Sequence, residues 1–126
     1  MEKIKQMLEI AELAYRAHER LHELKKTYDV TVYFQFDCRL LEIIFFHNDE
    51  SGKTDEIRKA RISWEIDEYY GRVDKGNVVF FKVNTTVAIE KITENLKMIA
   101  KYGDDKLLDD PVWDIYSFKD LSEEEK

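Results

Sequence analysis

The chain has 126 residues, 44% hydrophobic and 13% aromatic, which suffices for one domain around one core and argues against disorder throughout. Its one cysteine, Cys38, excludes an intrachain disulfide framework. A formal net charge of −7 argues against nucleic-acid binding through phosphate neutralisation and points to a protein partner with a basic surface.

In chain order, residues 3–28 read as a long helix. Met7, Ile10, Ala14, Ala17, Leu21, Leu24 and Tyr28 recur three and four apart, and Ile4, Leu8, Ala11, Leu13 and Tyr15 widen the stripe. Packing of this stripe on a sheet is the first expectation, and a homodimer through the N-terminal helix the second. Val30, Val32, Phe34 and Phe36 then alternate with Thr31, Tyr33, Gln35 and Asp37, the period of a half-buried strand. Asp37-Cys38-Arg39 is a tight connection to a second strand, Leu40 to His47, apolar on both faces except at Glu42.

A polar loop, Asn48 to Thr54, leads to a third strand in which Ala60, Ile62, Trp64 and Ile66 alternate with Arg61, Ser63, Glu65 and Asp67. Gly71 to Asn77 reads as a turn region, and Val78 to Val83 as a fourth strand. Short connections imply an antiparallel meander. Asn84 or Thr85 caps a second helix with the stripe Ile89, Ile92, Leu96 and Ile99, and Gly103 ends it. Asp110-Pro111 suits the start of a short third helix within 106–121. Residues 122–126 should fray. The expected fold is a single two-layer α+β domain over 1–121 in the order α-β-β-β-β-α-α, with two helices over one face of a four-stranded antiparallel sheet.

Charge is segregated along this order. Residues 1–103 carry 18 acids and 17 bases, whereas residues 104–126 carry nine acids against Lys106, Lys119 and Lys126. The same segment holds Leu107, Leu108, Val112, Trp113, Ile115, Tyr116, Phe118 and Leu121. Apolar anchors rimmed by charge are how interface hot spots are built, and a row of acids can imitate a nucleic-acid backbone before a protein's basic groove. The candidate partner-binding set is therefore Asp104, Asp105, Asp109, Asp110, Trp113, Asp114, Tyr116 and Asp120. The competing reading is a segment that docks its apolar residues on the core.

Three motifs suggest enzymes. His18-Glu19-Arg20-Leu21-His22 places two histidines one helical turn apart, able to share one Zn²⁺, with Glu19 as general base. These five residues resemble the signature of zinc-dependent metallopeptidases, but Arg20 and Glu23 stand where that family carries uncharged residues. A third ligand is also required, and His47 or a carboxylate would have to supply it. Ser51-Gly52-Lys53-Thr54 resembles the end of a phosphate-binding loop. His47 occupies the place of its first glycine, and Asp49 and Glu50 carry the wrong charge for a phosphate cradle. Cys38 with His47 would be a nucleophile and base, yet they fall near opposite ends of neighbouring strands. Glu65, Asp67 and Glu68 form a carboxylate cluster best read as a solvated face. No cofactor and no catalytic set is therefore expected.

The charged N-terminus, Met1-Glu2-Lys3-Ile4-Lys5-Gln6, lacks the apolar run of a secretion signal, and no apolar stretch would span a bilayer, so a cytoplasmic protein is expected. In size, acidity and lack of a catalytic motif the chain resembles the small accessory proteins of phages and mobile elements. That resemblance implies an anti-CRISPR-like or other anti-defence inhibitor of a nucleic-acid enzyme. A toxin-neutralising immunity protein, a zinc hydrolase and a structural homo-oligomer are the alternatives.

Overall fold

The computed structural model describes residues 2–35, 39–64, 68–74, 77–83 and 85–117; of residues 2, 68–74, 77–83, 85, 116 and 117 it describes the backbone alone. The elements run α1 (Glu2–Glu23), β1 (Tyr28–Gln35), β2 (Leu40–Asn48), β3 (Thr54–Ser63), β4 (Glu68–Asp74), β5 (Asn77–Val83) and α2 (Thr85–Tyr102). A 3-10 helix (Asp105–Asp109) and β6 (Asp114–Ser117) follow. The α+β class holds, as do the long N-terminal helix, the four-stranded antiparallel sheet and the second helix.

The sheet has the order β1-β2-β3-β6, all antiparallel. The strand that completes it is thus the last of the described strands, not 78–83. Residues 77–83 instead pair with 68–74 in a separate hairpin, so the region read as a turn from Gly71 is mostly strand. The third strand also begins earlier than its apolar alternation, at Thr54. Its first half, Thr54-Asp55-Glu56-Ile57-Arg58-Lys59, shows little hydrophobic pattern because its charged residues enter ion pairs, Arg58 with Glu56 and Asp109 and Lys59 with Glu42. Asp110-Pro111 does not open a helix: the helical turn precedes it, and Asp110 ends it with extended backbone, φ −58° and ψ 141°.

Both helices lie over one face of the sheet, α1 against β1 and β2, α2 against β3. The heptad stripe supplies the core. Met7, Ile10, Ala14, Ala17, Leu21 and Tyr28 are buried, with Leu24 alone of the stripe exposed. That face is therefore taken up within the chain and is not free for a dimer. Strand register places Leu41, Ile43 and Phe45 of β2 beside Ile62, Ala60 and Arg58 of β3 on the same face. Ala88, Ile92, Leu96 and Ile99 of α2 close the layer. Each large side chain fully removed from water here contributes about 1.5–3 kcal/mol. Among the described residues no helix is long and apolar enough to cross a membrane.

Candidate functional site

The acidic segment 104–117 begins where α2 stops. Gly103 takes φ +66°, and a Cβ there would lie 2.1 Å from Leu24 Cδ1, so glycine both ends the helix and admits the α1–β1 turn. The Gly103 carbonyl accepts from Lys26 Nζ at 2.8 Å, and the same ammonium donates to Asp105 Oδ1 at 3.0 Å. Asp104 accepts from the Lys106 N–H at 3.0 Å and caps the 3-10 turn. Asp110 accepts from the Val112 N–H at 2.9 Å.

Between these caps the apolar residues turn inward. Leu108, Val112 and Trp113 are fully buried. Trp113 stacks edge-on against Phe45 at 5.5 Å, and its Nε1–H donates to Asn95 Oδ1 at 3.1 Å. Asn95 in turn donates to the Leu107 carbonyl at 2.6 Å. This buried amide joins α2 to the C-terminal segment and carries no sequence signal beyond its place in the α2 stripe.

The acids also have internal partners. Asp109 accepts from Arg58 Nη2 at 3.1 Å, and Arg58 Nη1 lies 2.6 Å from Glu56 Oε2. The Arg58 guanidinium sits 5.8 Å from the centre of the Tyr28 ring, and the Tyr28 hydroxyl donates to Asp105 Oδ2 at 3.4 Å. Partial burial disfavours the charged form of Asp105, but the hydrogen bond and charge of Lys26 prevail and hold its carboxyl below the ordinary value. Burial above all, helped by the Asp105 and Glu56 carboxylates and opposed by Arg58, pushes the Tyr28 phenol well above its ordinary value.

Of the eight residues predicted to meet a partner, Trp113 is therefore a core residue and is not available as a surface anchor. Asp105 is half-buried against Lys26 and Tyr28. Asp104 and Asp109 are exposed, and Asp110 and Asp114 half-exposed. The Tyr116 backbone pairs with Ile57 in the sheet, its side chain lies outside the described set, and Asp120 lies outside the described residues. The packing of Trp113 and the outward acids combine the two readings of this segment.

The enzyme motifs fare differently. His18 and His22 stack at 6.3 Å on the flank of α1, but among the described residues no group of three His, Cys, Asp or Glu side chains comes together to hold a metal ion. His47, the candidate third ligand, bonds Asp55 through Nδ1 at 2.7 Å and lies against Tyr28. In the Ser51–Thr54 turn, the Ser51 and Lys53 backbone N–H groups donate to the Asp49 carboxylate at 3.0 and 2.9 Å. The donors a phosphate would need are thus occupied by an internal anion, and these bonds, that of the Ser51 hydroxyl first, lower the Asp49 pKa. Cys38, Glu65 and Asp67 lie outside the described residues, as does the side chain of Glu68.

Open clefts follow the α1–α2 seam. One of them, about 680 Å³, is lined by Lys3, Lys5, Gln6, Glu9, Trp64 and Glu90 among others, and Trp64 Nε1–H donates across it to Gln6 Oε1 at 3.0 Å. No convergent acid–base or nucleophile set lines it. The chain matches no protein-family model, and neither a curated protein nor a solved structure shows significant similarity to it.

Proposed function

We propose that this protein is a non-catalytic binding protein that presents a fixed acidic rim to a basic surface of a larger partner, and that it acts as an inhibitor, in the manner of anti-defence proteins. The observation that supports this reading is the mounting of the acids. Asp104, Asp109 and Asp110 project from a segment pinned to the core by Leu108, Val112 and Trp113 and closed at both ends by its own caps. Charges held in place before binding lose little side-chain freedom on contact, and they steer a basic partner.

Removing the segment is not a usable test, because Leu108, Val112 and Trp113 belong to the core. The test is the triple variant Asp104→Ser, Asp109→Asn and Asp110→Asn, which keeps the three hydrogen-bond acceptors and removes three charges. Capture of partners from the native host by this variant is compared with capture by the parent chain. The expected result is a melting temperature lowered only by the weakened Asp109–Arg58 pair, with partner affinity lower by about tenfold or more and less dependent on salt. Undiminished capture at low salt would overturn the reading.

A further inference from the structure

One edge of the sheet is β6, four residues long, with β4 close beside it. The other is β1, and it differs in kind. All eight residues of β1 pair with β2 in unbroken register, and among the described residues no strand pairs with its outer edge. Proteins guard such an edge with lysine, proline, a bulge or a short strand. Tyr-Asp-Val-Thr-Val-Tyr-Phe-Gln carries none of these, and its one charge, Asp29, accepts from Asn48 Nδ2 at the start of the strand. Val30 and Val32 are only partly covered, while their partners Phe45 and Ile43 on β2 are fully buried.

The layer above is open on the same side. Helical spacing puts Ile4, Leu8, Ala11, Tyr15 and His22 on the flank of α1 that overhangs β1. Leu8 is 53% and Tyr15 50% exposed. Among the described residues the uncovered surface thus spans two layers, an open strand edge below and an apolar helix flank above. A lone peptide strand added to β1 would leave the helix flank wet. The occupant must itself present a helix over a strand at its edge.

We propose that the occupant is a second copy of this chain, joined β1 to β1 about a two-fold axis perpendicular to the sheet. The dimensions agree. At 1.5 Å per helical residue Glu12 lies about 16 Å from the end of α1, and at 3.3 Å per strand residue Val32 lies about 13 Å into β1, so one axis serves both layers. Each α1 contacts both β1 and β2, and an axis midway between them lies half a strand spacing inward. The two helices are then separated by two strand spacings, about 10 Å, the distance at which helices pack.

The pairing chemistry agrees as well. With Val32 on the axis, Val30 meets Phe34, Thr31 meets Tyr33 and Asp29 meets Gln35 of the second copy, with no like charges opposed. Antiparallel helices set Leu8 against Tyr15 of the second copy. A parallel pairing would set like charges together.

Sedimentation velocity of the full chain from about 1 to 500 µM tests this. The expected result is a concentration-dependent dimer in which alternate β1 amides gain protection from hydrogen exchange. Leu8→Glu with Tyr15→Glu, both at exposed positions, should raise the dimer Kd by about 100-fold or more without altering the far-ultraviolet dichroism. A monomer at every concentration overturns the proposal. So does a dimer unaffected by the Leu8 and Tyr15 changes.

Discussion

Segment 104–115 and the outer flank of α1 are both amphipathic, and the fold treats them in opposite ways. In the first, Leu108, Val112 and Trp113 are turned into the core, and the acids serve as caps, as ion-pair partners of Lys26 and Arg58, and as an outward rim. In the second, Ile4, Leu8 and Tyr15 stay in water while the flank behind them fills the core. A segment rich in acids can therefore be a structural clasp, and a regular helix can carry the unsatisfied surface. Substitutions should separate the two regions, one acting on stability and the other on association.

The largest effect is expected for Trp113→Ala. It removes a fully buried indole, its edge contact with Phe45 and its bond to Asn95, and should cost about 3–5 kcal/mol in urea unfolding. Asn95→Leu comes next. It strands the Leu107 carbonyl and the Trp113 N–H, and the denaturant midpoint should report a loss of about 2–3 kcal/mol.

The third prediction concerns pH. Folding raises the Tyr28 phenol pKa, so its contribution is complete below about pH 10, the ordinary tyrosine value, and declines as pH rises beyond it. Tyr28→Phe should flatten this alkaline decline while changing mid-pH stability little. Asp105 has the opposite sign. Its depressed pKa makes its contribution complete above the ordinary carboxylate range and lost as pH falls below it, and Lys26→Met should weaken that acid limb. The smallest change in stability, under about 0.5 kcal/mol in a thermal melt at a concentration where both chains are monomeric, is expected for Leu8→Glu with Tyr15→Glu. A large loss there would show that the flank supports the monomer's own core.

Several elements were legible because their apolar residues repeat at the element's own period. The α1 stripe from Met7 to Leu21, the alternation of Val30 and Val32, and the Ile92–Leu96–Ile99 stripe of α2 all took the faces their spacing required. The strands at 54–59 and 68–74 were not. The first runs through charged residues whose partners, Asp109 for Arg58 and Glu42 for Lys59, come from other elements. The second closes with 77–83 as a separate hairpin rather than joining the main sheet. The acidic segment was legible as a choice between core and surface, and its residues divide between the two.

Residue order alone determined the α+β class, the burial of the α1 stripe and the segregation of charge, because periodicity and charge placement are local properties of the chain. Three things were decided only by the tertiary structure. They are β6 as the strand that completes the sheet, the Asn95 amide beneath Trp113, and β1 as an edge that no described strand pairs, under an apolar helix flank. Each depends on which distant segments become neighbours. That is settled by the packing of whole layers, where four residues at the edge of a sheet gain their conformation from the strand beside them.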